Sequence, residues 1–137
     1  MAYTAGYGTF PNLLANSTGL ATSQFKAVKL ASTAGKVVLS GVLNTTTALT
    51  LGPIGILMNK PGGAEEAEVA FSGIVKMLVA TSTIIVGDHI GINSTSQGTD
   101  AARTDNTAFI GVALQASSAA NDIITVLLNG GANIQRT

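Results

Sequence analysis

The sequence predicts an all-β protein: a compact, barrel-like domain built from two similar β-hairpin units, with an extended N-terminal arm. Three observations carry this prediction. The stretch Ile54-Gly55-Ile56-Leu57 followed by Val69-Ala70-Phe71-Ser72-Gly73 returns as Ile110-Gly111-Val112-Ala113 followed by Val126-Leu127-Leu128-Asn129-Gly130, so one β-unit is written twice. Side chains in these stretches alternate with period 2: Ile110, Val112 and Leu114 point one way and Gly111, Ala113 and Gln115 the other, while Val69 and Phe71 alternate with Glu68, Ala70 and Ser72. Helix-forming runs are scarce, the one from Ala64 to Glu68 being about a single turn long.

Residues 1–23 hold both tyrosines, Tyr3 and Tyr7, the Phe10-Pro11 pair and no charged residue. They show little alternation, so they read as an extended arm outside the sheet. A solvated tail is usually charged. This one carries Tyr3, Tyr7, Phe10, Leu13 and Leu14, which gain by burial on a neighbour. These five are the expected contacts with a partner or an adjacent subunit.

The domain proper is expected over 24–130. Phe25 to Ala31 and Lys36 to Ser40 read as strands joined by the turn Ser32-Thr33-Ala34-Gly35, and Gly41 to Thr50 as a Thr-rich connection. The first echoed hairpin spans Pro53 to Gly73 and reverses at Asn59-Lys60-Pro61-Gly62-Gly63, where Pro presets φ and Gly supplies positive φ. The chain then continues into Ile74 to Ala80, turns at Gly87-Asp88, forms a strand from His89 to Asn93 and enters a polar loop from Ser94 to Asn106. The second echoed hairpin, Ala108 to Gly130, reverses at Ser117-Ser118-Ala119-Ala120-Asn121, and residues 131–137 form a short polar tail.

Composition narrows the function. The 137 residues make one domain, and only 10% are charged, against roughly 25% in an ordinary soluble domain. Such a surface favours covered area over solitary exposure. Seven basic residues balance seven acidic ones, so no positive field exists to attract nucleic acid. Mean hydropathy is +0.43, yet no run approaches the ~18 apolar residues of a spanning helix, and no membrane partner is expected. The first residues lack the basic and apolar regions of a secretory signal. The absence of cysteine removes disulfides and thiolate metal sites, leaving oligomerisation as the commonest source of added stability.

Catalytic groupings are not found. Glu65, Glu66 and Glu68 form the single carboxylate cluster beside a Pro-Gly-Gly turn, where they read as a solvated rim that limits edge pairing or meets a basic partner. His89 is the sole imidazole, and Asp88 beside it on a strand points to the opposite face, so neither a metal site nor a Ser–His pair assembles from sequence. Gly35-Lys36 runs into Val37-Val38 without the upstream glycine or the hydroxyl of a phosphate loop. No enzyme activity and no cofactor are expected.

The order and spacing of Pro53 to Gly73, then Gly87-Asp88, then Phe109-Ile110-Gly111-Val112-Ala113-Leu114 resembles the small capsid decoration, or cement, proteins of tailed bacteriophages. The resemblance runs over roughly residues 25–130. It implies a β-barrel-like domain made in the host cytoplasm that trimerises on the outer face of a maturing capsid and rivets neighbouring copies of the major capsid protein. The arm fits that family's habit of reaching onto a neighbouring subunit. Low charge and a neutral, sticky arm suit a tile among many, because multivalency multiplies weak contacts. The alternative is a carbohydrate- or surface-binding β-module of a tail fibre or adhesin. Such modules stack exposed aromatics on sugars, whereas aromatic content here is 4% with no Trp.

Overall fold

A computed structural model describes residues 6–43, 52–101 and 108–134. The Thr-rich run Thr45-Thr46-Thr47, Tyr3 and residues 135–137 lie outside them. The described residues form ten strands and no helix: β1 (Tyr7–Thr9), β2 (Leu14–Ala15), β3 (Ala27–Leu30), β4 (Lys36–Leu39), β5 (Gly55–Leu57), β6 (Val69–Leu78), β7 (His89–Ile92), β8 (Gly98–Asp100), β9 (Ala108–Ala113) and β10 (Ile123–Ile134). They share one sheet in the order β2-β4-β3-β5-β6-β10-β9-β7-β8, with β1 added on β6. The β2–β4 pair is parallel. The remaining strand pairs are antiparallel.

Both ends of the sheet return to the flanks of β6. At one end, Gly98 of β8 bridges Val79 and accepts the Ala80 N–H at 2.8 Å. At the other, Leu14 of β2 bridges Glu66, the Ala15 N–H reaches the Glu65 carbonyl at 2.8 Å, and the Ala67 N–H reaches the Leu13 carbonyl at 2.9 Å. Two apolar cores result. The larger holds Ile56, Ala70, Val75, Met77, Ile90, Ile110, Ala113, Ile124, Val126 and their neighbours. The smaller holds Leu13, Ala15, Leu20, Val28, Val37, Leu57, Ala67 and Val69.

The echoed hairpins fold as equivalents. Leu57 pairs with Val69 and Ile56 with Ala70 in the first, and Ala113 pairs with Val126 and Val112 with Leu127 in the second, which is the register the sequence repeat demands. The glycines after the two isoleucines meet the same obstacle. A Cβ on Gly55 would overlap the Ala70 carbonyl and stand 2.9 Å from Val69 Cγ1, and one on Gly111 would overlap the Leu127 carbonyl and stand 3.0 Å from Val126 Cγ1. The first unit feeds both cores, Leu57 and Val69 with Ile54 the smaller and Ile56 and Ala70 the larger, which Ile110, Ala113 and Val126 of the second unit also enter.

Four features differ from the sequence reading. The stretch 7–23 is not free of the sheet: β1 lies against Gly73, Ser72 and Ala70 of β6, and Leu13, Ala15 and Leu20 are buried in the smaller core. These pairings are short and join residues about sixty positions apart, so they leave no local periodicity. The alternation does not separate inside from outside: Ala70 is buried as well as Val69, because the start of β6 runs between the two cores, and Ile110 and Ala113 are both buried in the larger core while Leu114 is exposed. The polar loop 94–106 contains β8, whose three residues Gly98-Thr99-Asp100 pair with β7 through backbone groups alone. β10 continues past Gly130 to Ile134, where Asn133 and Ile134 pair with Phe109 and Ala108 across a register shift.

Candidate functional site

The sequence picks out two groups, the arm residues and the glutamate rim, and the fold brings them together. Gly73, at φ +90°, leaves room for the Gly6 carbonyl, which accepts the Ile74 N–H at 3.0 Å and seats β1. Tyr7 then stands beside the rim, and its hydroxyl donates to Glu68 Oε1 at 2.7 Å. The hydrogen bond to Glu68, partial burial and the charge of that carboxylate together raise the Tyr7 pKa above the usual phenol value. One turn further, the Phe10 N–H bonds the Val69 carbonyl at 3.1 Å and its ring packs against Phe71, centroids 4.7 Å apart.

Asn59 holds the opposite wall. Its side chain donates to the Glu66 carbonyl at 3.0 Å and accepts the Glu68 N–H at 2.9 Å, while the Met58 N–H bonds the Glu68 carbonyl at 2.7 Å. Thr9, Phe10, Asn59, Glu66, Ala67 and Glu68 line a shallow cleft of about 330 Å³. It offers two carboxylates beside an aromatic ring and rigid backbone behind them. Such a surface suits a cationic side chain of a partner.

Three expected contacts fall elsewhere. Leu13 is committed to the smaller core, and Leu14 is 37% exposed on the edge strand β2. Glu65 folds back to accept the Gly62 N–H at 2.7 Å, closing the hairpin turn. His89 stacks on Phe109, centroids 4.2 Å apart, and Asp88 Oδ2 accepts the Ile85 N–H at 3.0 Å.

A second surface escapes the sequence reading. Ile74, Leu114, Ile123 and Leu127 are each about two-fifths exposed or more, and Ile85 and Val86 nearly two-thirds. The signal is present in the Ile123–Leu128 run, whose apolar residues occupy both phases of the alternation, so one set must face outward.

A helix-free sheet carrying a shallow carboxylate cleft and an uncovered aliphatic face defines a β-protein that presents surfaces. A family model described as phage cement protein matches residues 17–129, and the chain belongs to that family. Its role is accordingly structural and associated with the phage capsid, and its place is the virion. A search of curated proteins finds no match to the chain. Among the described residues no helix is long and apolar enough to cross a membrane.

Proposed function

We propose that the chain binds the outer surface of a phage capsid as a homotrimer and ties together neighbouring copies of the major capsid protein. Membership of the cement family is the observation that carries this reading. The cleft between Tyr7, Phe10, Asn59, Glu66 and Glu68 supplies the contact, taking a Lys or Arg side chain of the capsid protein against its carboxylates. The arm contributes through Tyr7, Phe10 and Leu14, with Tyr3, outside the described residues, proposed as a further contact. Each contact is modest, and three linked copies raise the effective affinity.

The test is co-sedimentation of purified protein with empty expanded capsids, followed by heating of the particles. The wild type should pellet with capsids and raise their disruption temperature. A Glu66→Lys/Glu68→Lys double variant should lose at least tenfold in binding at low salt. Equal binding by that variant removes the cleft from the account, and failure of the wild type to bind any capsid of its phage overturns the proposal.

A further inference from the structure

The outer face of the second hairpin is a bare aliphatic surface built in register. Ile74 on β6 pairs with Leu127 on β10, Leu127 with Val112 on β9, and Val112 with His89 on β7. Directly paired antiparallel residues share a face, so these four side chains stand in one row across four strands. The flanking rows add Leu78 with Ile123 and Lys76 with Thr125. Lys76 Nζ lies 3.3 Å from Thr125 Oγ1, laid along its own sheet.

A rigid turn borders this row. The Gly87 N–H bonds the Ala113 carbonyl, which sets the turn beside Leu114. The Asp88 N–H closes on the Ile85 carbonyl at 3.1 Å while Asp88 Oδ2 caps the Ile85 N–H, and Gly87 takes φ +93°. Ile84 anchors the turn at 1% exposure, bonded in both directions to Ser117. The consequence is that Ile85 and Val86, 63% and 64% exposed, are held out in water by a well-bonded scaffold. Turn positions ordinarily carry polar residues, Gly or Pro.

The first hairpin shows what such a face is built to meet. Ile56 and Ala70 occupy the positions of Val112 and Leu127, and both are completely buried against the larger core. The same hairpin surface is covered by the larger core in the first hairpin and turned outward in the second.

We infer that the Ile74–Leu127–Val112 row and the Ile85-Val86 turn form the surface on which a second copy of this chain docks. The inference rests on the reading of the protein as an oligomer on a capsid and names the face that makes the oligomer. Two properties favour a copy of the chain over another protein. Residues lining a closed cyclic axis meet their own counterparts, so the patch must tolerate itself. Ile74, Leu114, Ile123, Leu127, Ile85 and Val86 do, with Lys76 laid along its own sheet and Asp88 turned back onto the Ile85 N–H, whereas the carboxylate cleft would repel its own copy. Six large aliphatic side chains half out of water on one face also exceed the singly scattered exposure of a monomer.

Sedimentation velocity on the full chain across micromolar concentrations tests this, with far-ultraviolet circular dichroism as the folding control. The wild type should self-associate, and Leu127→Asp should weaken association at least tenfold without changing the spectrum. Ile85→Asp, on an exposed turn, carries the same expectation and decides the matter if Leu127→Asp fails to fold. A monomeric wild type, or association unchanged in Ile85→Asp, overturns the inference. Capsid co-sedimentation separates it from the function proposed above. Glu66→Lys/Glu68→Lys should lose capsids while still self-associating. Face variants that self-associate normally but lose capsids would assign the face to the capsid protein and overturn the inference while leaving the proposed function standing.

Discussion

Gly55 and Gly111 each sit where a methyl group would strike the carbonyl of the strand opposite, Ala70 in one hairpin and Leu127 in the other. The obstacle is backbone rather than a flexible side chain, so neither site can yield by a rotamer change. Gly55→Ala and Gly111→Ala should each cost more than about 2 kcal/mol, read from the midpoints of urea denaturation, and similar losses at both would mark the two hairpins as equivalent in energy as well as in register. Tyr7 sets a pH limit of a different kind. Its pKa is raised in the folded protein because the neutral hydroxyl donates to Glu68. The stability this adds is therefore present below the ordinary phenol pKa of about 10 and disappears as pH climbs through the higher folded value. Amide exchange at Ile74, whose N–H is held by Gly6, should accelerate at that alkaline limb in the wild type, and Tyr7→Phe should remove the step.

At the scale of elements, the hairpins were legible and the N-terminal pairings were not. The repeat told the register of β5 on β6 and of β9 on β10, because Ile-Gly-aliphatic followed by a glycine-ended strand constrains both alternation and turn. The turns carried their own chemistry: Glu65 closes the first, and Asp122 Oδ2 gathers the Ser118 N–H, the Ser118 hydroxyl and the Ala119 N–H in the second. β1, β2 and β8 have two or three residues each, too few for a period to emerge, and their partners lie far along the chain. The glutamates and the arm were each visible as residue types. That they share one cleft was not, since the juxtaposition depends on β1 reaching β6. Leu13 makes the difference measurable. As part of the smaller core it should lose about 2–3 kcal/mol on Leu13→Ala, seen as a lower thermal midpoint of the isolated protein, whereas a purely external arm would leave the midpoint unmoved.

For the molecule as a whole, low charge, two cores and two unlike surfaces fit a protein whose work is done in company. The acidic cleft lies on the side where the N-terminal stretch meets β6, and the aliphatic row lies on the sheet of β6, β10, β9 and β7. Occupancy of one therefore need not compete for the residues of the other. The long strand β6 has a further consequence, in time rather than space. Besides the nearby β5, its partners are Tyr7–Thr9, made some sixty residues earlier, and Ile123–Asn129, made some fifty later. During synthesis Val75 and Met77 wait for Val126 and Ile124, so β6 leaves the ribosome with an edge it cannot yet fill. Sheets assembled from such distant segments fold in milliseconds to seconds, and an unfilled edge is open throughout to any other nascent strand. The rate at which the chain is made thus sets how much of it reaches its native register before it meets an unfolded sibling.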